Sequence, residues 1–206
     1  LDTVLGVIED FSPTLSATHT RLPYVLLANC APDLQANVLD QMNRPKFVVA
    51  DTMDLWLNIA RPAVLKLLKR IDCFVLNDSE ASQLVEEDNV VAAIPRIHKL
   101  GPKYVIVKKG EHGSVLSGPR GLFIVPAYPL KKVADPTGAG DSFVGGMMGY
   151  LASQKGSVEK NLHAGIVRGS VTASFCCEDF GLKKTTKVKK PDIAKRVREL
   201  TKMVNW

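Results

Sequence analysis

The sequence has little that would suit a membrane or secreted protein. No apolar run approaches the ~18–20 residues that a membrane helix needs, and the first residues include Asp2, Glu9 and Asp10 instead of a basic leader. Only four cysteines occur, and no two of them have the two-residue gap of a zinc knuckle or a redox motif. We therefore expect a cytoplasmic protein with reduced thiols and no membrane partner.

Acidic residues are scarce at the C-terminal end, where basic residues predominate from Lys183 onward. Such a segment can bind nucleic acid, or it can be the solvated face of a helix that follows a lysine-rich linker. Trp206 is the only aromatic residue among these charges, whereas proteins that bind single strands offer several rings on which bases stack. We therefore expect a solvated face and no nucleic-acid partner.

Short apolar runs rich in β-branched residues recur along the chain and predict buried parallel strands. Most of them precede a helical pattern, which is the alternation of an α/β protein. Strands are predicted at Leu5–Ile8, Tyr24–Ala28, Phe47–Ala50, Cys73–Leu76 and Tyr104–Val107. A hairpin is predicted where Val115–Leu116 and Leu122–Val125 flank a turn with glycine and proline. The length suits one domain over residues 1–206.

Three helices are predicted after the hairpin. The first carries an apolar stripe of Phe143, Met147 and Leu151, and the second runs over Val158–Cys177. The third follows Pro191 and is expected to be amphipathic. Its apolar residues should face inward and its basic residues outward: Ile193, Val197, Leu200 and Val204 against Lys195, Arg196 and Arg198.

The most informative segment is the glycine-rich run Ala134-Asp135-Pro136-Thr137-Gly138-Ala139-Gly140-Asp141-Ser142-Phe143. Two glycines around one alanine let the backbone turn tightly, and the apolar stripe after them predicts that a helix begins at once. The amides of residues 138–141 would then be unpaired donors at a helix N-terminus, which favours an anion. A carboxylate at Asp141 would repel an anion, but it suits a base that receives a proton during phosphoryl transfer.

This run matches neither of the two common glycine-rich phosphate motifs. A P-loop would continue with Gly-Lys-Ser/Thr, and the dinucleotide-binding fingerprint would have a third glycine where Phe143 stands. Asp141 can also be an ordinary acidic residue in the first turn of a helix, stabilised by the helix dipole. This run alone is therefore compatible with a catalytic role and with a structural role for Asp141.

The whole run resembles the C-terminal signature of the ribokinase-like sugar kinases, the phosphofructokinase-B family. Three further segments match this family in the same order. Asn77-Asp78-Ser79-Glu80 follows a predicted strand and resembles the Asn-x-x-Glu motif of the family. Lys109-Gly110-Glu111-His112-Gly113 resembles its Gly-x-x-Gly nucleotide loop, and the small residues of Gly165–Ala173 resemble the helix beside adenine. The matches extend from about Tyr24 to Gly181.

The resemblance implies a three-layer αβα sandwich with a mostly parallel sheet, and an enzyme that moves the γ-phosphate of ATP to a hydroxyl of a sugar. It implies Asp141 as the catalytic base and the amides of Gly138, Ala139 and Gly140 as the anion hole. Nucleotide contacts are implied for Asn77, Lys109, Gly110, Gly113, Gly169 and Ala173.

Two kinds of cation are also implied. Glu80 and Asn77 would organise Mg²⁺ through water, and Asp135 and Thr137 would hold a monovalent cation such as K⁺. Pro136 stands where the family more usually has threonine, which weakens the second of these. From the residues alone, Asn77 can equally cap the helix that contains Leu84, and Glu80 can be a first-turn partner of the helix dipole.

The N-terminal portion of the family, which supplies most sugar contacts and a small β lid, has no recognisable counterpart. The chain is therefore expected to begin partway through the fold, as its C-terminal, nucleotide-binding portion. A sheet edge exposed in this way would favour homo-oligomers. The acceptor can be a sugar, a nucleoside or another small alcohol. The alternative function is a non-catalytic nucleotide-binding or interaction module.

Overall fold

A computed structural model describes Gly6 and residues 11–204 of the chain. In this part of the chain, strands and helices alternate as the sequence predicts for an α/β protein. The strands are β1 (Tyr24–Leu27), β2 (Phe47–Asp51), β3 (Cys73–Asn77), β4 (Tyr104–Lys108), β5 (Ser114–Gly118) and β6 (Gly121–Val125). Apart from Gly6, the strand predicted at Leu5–Ile8 lies outside the described residues.

The helices vary from six to 19 residues in length. They are α1 (Pro32–Asp40), α2 (Asp54–Ile59), α3 (Arg61–Leu68), α4 (Asp78–Val85), α5 (Val90–His98), α6 (Ala139–Ser153), α7 (Val158–Cys176) and α8 (Lys190–Val204). Among the described residues, no helix combines the length and the apolar character that a bilayer crossing requires.

The strands form one mostly parallel sheet in the order β1-β2-β3-β4-β5-β6. β1 pairs with β2 and β2 with β3 in parallel, and the predicted hairpin is the antiparallel pair β5–β6. Every residue of β2 is buried, as are the first four residues of β3 and of β4. Continuous apolar runs are what strands covered on both faces require, so this part of the prediction is confirmed.

The chain divides into two compact units, Leu1–Val105 and Ile106–Trp206, with the boundary inside β4. In the first unit, Val49, Leu68 and Phe74 are almost completely buried. The guanidinium of Arg61 joins α3 to α4 by donating to the Leu84 carbonyl at 2.8 Å, which satisfies an acceptor in the last turn of α4. That residues 1–206 act as a single domain stays a prediction.

In the second unit, α6 and α7 pack closely because glycines face the contact. A Cβ added at Gly169 would lie 2.7 Å from the Phe143 carbonyl oxygen, and one added at Gly146 would lie 2.4 Å from the Thr172 hydroxyl. No larger residue fits such distances without movement of the helices. The predicted stripe of Phe143, Met147 and Leu151 is buried in α6, so the expected inner face of this helix is confirmed.

Helix α8 departs from its prediction in two positions. Leu200 is buried as expected, but Val204 is 45% exposed because it lies in the last turn of the helix. The prediction that Arg196 faces outward is wrong, since only 13% of its side chain is exposed. Its guanidinium donates to the Ser174 hydroxyl at 2.9 Å and to the Glu178 carboxylate at 2.7 Å, and these partners offset the cost of burying its charge.

Candidate nucleotide and phosphate site

The glycine-rich run ends in a tight turn that opens helix α6. Gly138 precedes the helix with φ of +79°, in the left-handed region that favours glycine. The Ala139 amide donates to the Pro136 carbonyl at 3.0 Å, and the Ser142 amide donates to the Gly138 carbonyl at 2.9 Å. No side chain caps this helix end. The turn therefore holds the first helical amides in place without covering them.

Three amides at this turn have no acceptor in the described part of the chain: those of Gly138, Gly140 and Asp141. Unpaired first-turn donors at the positive end of a helix dipole favour an anion. The Ala139 amide, in contrast, is already bonded to Pro136. Its assignment to the anion hole stays a prediction, and it requires that bond to lengthen when a ligand arrives. The side chain of Asp141 is exposed on the first turn.

Lys108, the last residue of β4, brings positive charge to the same helix end. Its ammonium nitrogen lies 3.2 Å from the point where a Cβ on Gly140 would stand. A cation beside the positive end of a helix raises the local potential and strengthens attraction for an anion. The sequence motif points to the neighbouring Lys109 and misses Lys108. Successive side chains of a strand point to opposite faces of the sheet. This alternation could have shown from the sequence that Lys108 and Lys109 point in opposite directions.

A cavity of about 660 Å³ opens beside this turn in the second unit. Its size lies within the ~300–1,000 Å³ of small-molecule sites. Five of the predicted residues line it: Gly110, Gly113, Ala139, Gly140 and Ala173. The cavity is also lined by Lys108, Phe143 and Tyr128. It therefore combines apolar surface with a positive charge at the end where Lys108 lies. Gly169 instead lies buried against Phe143, and its contact with nucleotide stays a prediction.

Glycine is favoured at positions 110 and 113 of the predicted nucleotide loop for two different local reasons. Gly110 has φ of +54°, and a Cβ added there would have no neighbour within 4 Å, so its backbone is open toward the cavity. Gly113 has φ of +90°, and a Cβ there would lie 2.0 Å from the Val125 carbonyl oxygen. The turn is closed by the Lys109 amide, which donates to the Gly113 carbonyl at 2.8 Å. Gly113 is thus required by the fold itself.

Asp135 and Thr137, the predicted ligands of a monovalent cation, are in contact. The Asp135 carboxylate accepts a hydrogen bond from the Thr137 amide at 2.9 Å. Hydrogen bonds from the backbone and hydroxyl of Thr137, together with one from the Gly181 amide, lower the pKa of Asp135. A carboxylate and a threonine oxygen are the kind of oxygen ligands that a hard cation prefers. The chemistry of the two side chains fits the implied cation, but its binding at Asp135 and Thr137 stays a prediction.

Asn77 and Glu80 form a capping box at the start of α4 in the first unit. The Asn77 side-chain oxygen accepts from the Glu80 amide at 2.8 Å. The buried Glu80 carboxylate accepts from the Asn77 amide at 2.7 Å and from the Asn77 side-chain amide at 2.8 Å. The capping role that the sequence left open at Asn77 is therefore present. A role in Mg²⁺ binding stays a prediction for both residues.

The described residues contain no group of three or more His, Cys, Asp or Glu side chains placed to hold a metal ion. Mg²⁺ commonly binds through one or two carboxylates together with water and substrate phosphates.

Comparison with known proteins decides the family. Residues 25–188 match the family model described as pfkB family carbohydrate kinase, and this span contains all four segments that resemble the family. The chain belongs to the pfkB family of carbohydrate kinases. Its predicted resemblance is thereby confirmed.

Relatives in this family are only partly covered by the chain. It is 32% identical over 167 residues to 2-dehydro-3-deoxygluconokinase of Escherichia coli (strain K12), covering 78% of this chain and 49% of that protein. It is 33% identical over 93 residues to cytidine kinase of Thermococcus kodakarensis, covering 44% of this chain and 33% of that protein. The chain thus spans about half the length of the gluconokinase and a third of the length of the cytidine kinase.

The structure of Arabidopsis thaliana ribokinase, complexed with ribose and ATP, has the same fold. The two superpose with a TM-score of 0.69 over 85% of this chain and 56% of that chain, at 24% identity. This likeness confirms the α/β, ribokinase-like fold.

Proposed function

We propose that this pfkB chain is the nucleotide-binding, catalytic part of an ATP-dependent kinase that transfers the γ-phosphate of ATP to a hydroxyl group. The observation that carries the proposal is the open N-terminus of α6. There Gly140 and Lys108 line a cavity of about 660 Å³, the amides of Gly140 and Asp141 have no acceptor in the described chain, and Asp141, on the same helix turn, carries an exposed carboxylate outside the cavity lining. Donors for phosphate and a base beside them are the parts that phosphoryl transfer needs.

Each part has a separate task. The amides and Lys108 would hold the phosphoryl oxygens and stabilise the negative charge that develops on them. Asp141 would accept the proton of the attacking hydroxyl, for which its exposed position on the first turn of α6 leaves room. The cavity between Gly110 and Ala173 would take the rest of the nucleotide. Mg²⁺, organised by Glu80 and Asn77 through water, would neutralise the phosphates when bound.

A monovalent cation at Asp135 and Thr137 would act on the turn rather than on the reaction. Asp135 bonds Thr137 and Gly181, and the Thr137 carbonyl also accepts the Cys176 thiol at 3.3 Å. A cation in this loop would fix the amides that follow it. K⁺ should therefore improve turnover through better placement of the phosphate donors.

The acceptor is proposed to be a sugar or a nucleoside. The family is one of carbohydrate kinases, the ribokinase with the same fold is complexed with ribose, and one relative is a cytidine kinase. All of these ligands present primary or secondary alcohol groups. Four free cysteines suit the reducing cytoplasm, where we place the enzyme.

The alternative, a non-catalytic nucleotide-binding module, shares the cavity but needs no base. Substitution Asp141→Asn in the full-length protein separates the two functions. We expect turnover of ATP with the best acceptor from a panel of sugars and nucleosides to fall by roughly 10²–10⁴. ATP affinity, measured by calorimetry, should hold or rise because a negative charge near the phosphates is removed. Wild-type turnover in this variant would make Asp141 a helix-start residue only.

A further inference from the structure

A second cavity, of about 480 Å³, lies in the second unit beside helix α8. Its walls come from α8, from the end of α7 and from the basic segment between them. Its lining residues are Tyr128, Phe175, Lys184, Lys187, Val188, Asp192, Lys195, Arg196 and Glu199. Tyr128 is the one residue that also lines the first cavity. The second cavity is thus a separate space, and the proposed kinase reaction makes no use of it.

Positive charge predominates around this cavity. Four cationic side chains line it, against the carboxylates of Asp192 and Glu199. Both carboxylates have other donors: Asp192 accepts from the Lys189 amide at 2.9 Å, and Glu199 accepts from the Tyr128 hydroxyl at 2.9 Å. Among the described residues, neither Lys187 nor Lys195 has a carboxylate within 4.0 Å. The ammonium groups of Lys187 and Lys195 therefore line one cavity without a direct ion pair.

Arg196 makes one wall of this cavity rigid. Its guanidinium lies 3.6 Å from the centre of the Phe175 ring and 4.6 Å from that of Tyr128. It is also bonded to Ser174 and Glu178. Glu178 is shared with Lys184, whose ammonium lies 3.6 Å from it. A wall fixed by stacking and ion pairing costs little further ordering when a ligand binds.

We propose that this second cavity binds a small phosphorylated molecule. A multivalent phosphate would compensate Lys187 and Lys195, and lysine is an established phosphate ligand as a point charge. The volume exceeds what a single phosphate needs and falls within the range of small-molecule sites. Tyr128, Phe175 and Val188 provide apolar surface for an organic part. The basic segment that the sequence predicts to be a solvated face is therefore in part the wall of a ligand site.

Pyrophosphate is a suitable first probe, with calorimetry as the measurement. The double variant Lys187→Gln/Lys195→Gln removes two exposed charges from the cavity. The control Arg198→Gln/Lys202→Gln removes two exposed charges from helix α8 outside the cavity. Affinity for pyrophosphate at the second site should fall roughly tenfold or more in the first variant, and it should hold in the control. Binding at the first cavity is common to all three proteins and cancels in the comparison.

Acetylation mapped by mass spectrometry gives a second readout that does not depend on the kinase reaction. Pyrophosphate should protect Lys187 and Lys195 from acetylation and leave Lys202 reactive. Potassium chloride at equal ionic strength should protect none of them. The proposal is overturned if both double variants bind pyrophosphate like the wild type, or if all three lysines are protected equally. It is likewise overturned if a single-stranded oligonucleotide binds more tightly than pyrophosphate and both double variants weaken it alike, since the charges would then form one diffuse surface.

Discussion

Helices α4 and α6 both begin with an acidic residue in the first turn, but their ends are built differently. At α4 the buried Glu80 carboxylate accepts a hydrogen bond from the Asn77 amide. The capping box therefore pairs the backbone donors at that helix end with side chains of the same helix end. At α6 the capping residue is Gly138, which has no side chain to cap the helix, Asp141 is exposed, and the amides of Gly140 and Asp141 have no acceptor in the described chain. A closed end stabilises the fold, whereas an open end is available to a ligand.

Among the variants that test this contrast between the two helix ends, closing the open end should have the largest effect. In Gly140→Val the new Cβ would lie 3.2 Å from the Lys108 ammonium nitrogen. The rest of the valine side chain would then cover the neighbouring amides. We expect turnover to fall by roughly 10²–10³, the loss typical of an oxyanion-hole donor, and ATP affinity to fall with it. Steady-state kinetics and calorimetry measure the two losses.

Gly145→Ala is the matched control for this change. Gly145 lies in the same helix, and a Cβ there would have no neighbour within 4 Å. Since alanine is the better helix former, this variant should keep its activity and unfold at a slightly higher temperature. If Gly140→Val binds and turns over ATP like Gly145→Ala, the open end of α6 does not hold phosphate.

The charge beside the open end should have the next largest effect. Lys108→Met keeps most of the length of the side chain and removes the ammonium group. We expect ATP affinity and turnover to fall by roughly 10- to 100-fold, the value of one or two charge-assisted hydrogen bonds. Lys109→Met, at the neighbouring position outside the cavity lining, should change both by much less. A larger loss in Lys109→Met would restore the original assignment from the sequence.

The sequence predicts the backbone of this site better than its charges. Strands β2, β3 and β4 could be predicted because a strand that is covered on both faces needs a continuous apolar run. The spacing of the glycines likewise locates the turns at Gly110–Gly113 and Gly138–Gly140. Lys108 and Arg196 could not be placed in this way. Their roles depend on partners distant in sequence, such as Gly140 for Lys108 and the Phe175 ring for Arg196. Helical periodicity puts Arg196 on the outer face and cannot show that the end of α7 supplies it with two hydrogen-bond acceptors.

The closed end of α4 should give the smallest effect, and it tests whether Glu80 does more than cap. In Glu80→Gln the side-chain oxygen can still accept from the Asn77 amide, but the new amide group faces the Asn77 side-chain donor and loses that bond. Stability should fall by about 1 kcal/mol, as for a single hydrogen bond. If Glu80 also organises Mg²⁺, the Mg²⁺ concentration for half-maximal turnover should rise several-fold, because a carboxylate governs the placement of this ion.

The variant Asn77→Ala distinguishes these two roles of the α4 end. It removes the side-chain cap, which typically costs about 0.5–2 kcal/mol, but it leaves the Glu80 carboxylate in place. Thermal unfolding of Asn77→Ala and Glu80→Gln should therefore show losses of similar size, while the Mg²⁺ dependence of turnover should shift more in Glu80→Gln. Equal Mg²⁺ dependence in both variants and the wild type would leave the capping box as the whole function of this end. The contrast between α4 and α6 would then be one between a purely structural helix start and a catalytic one.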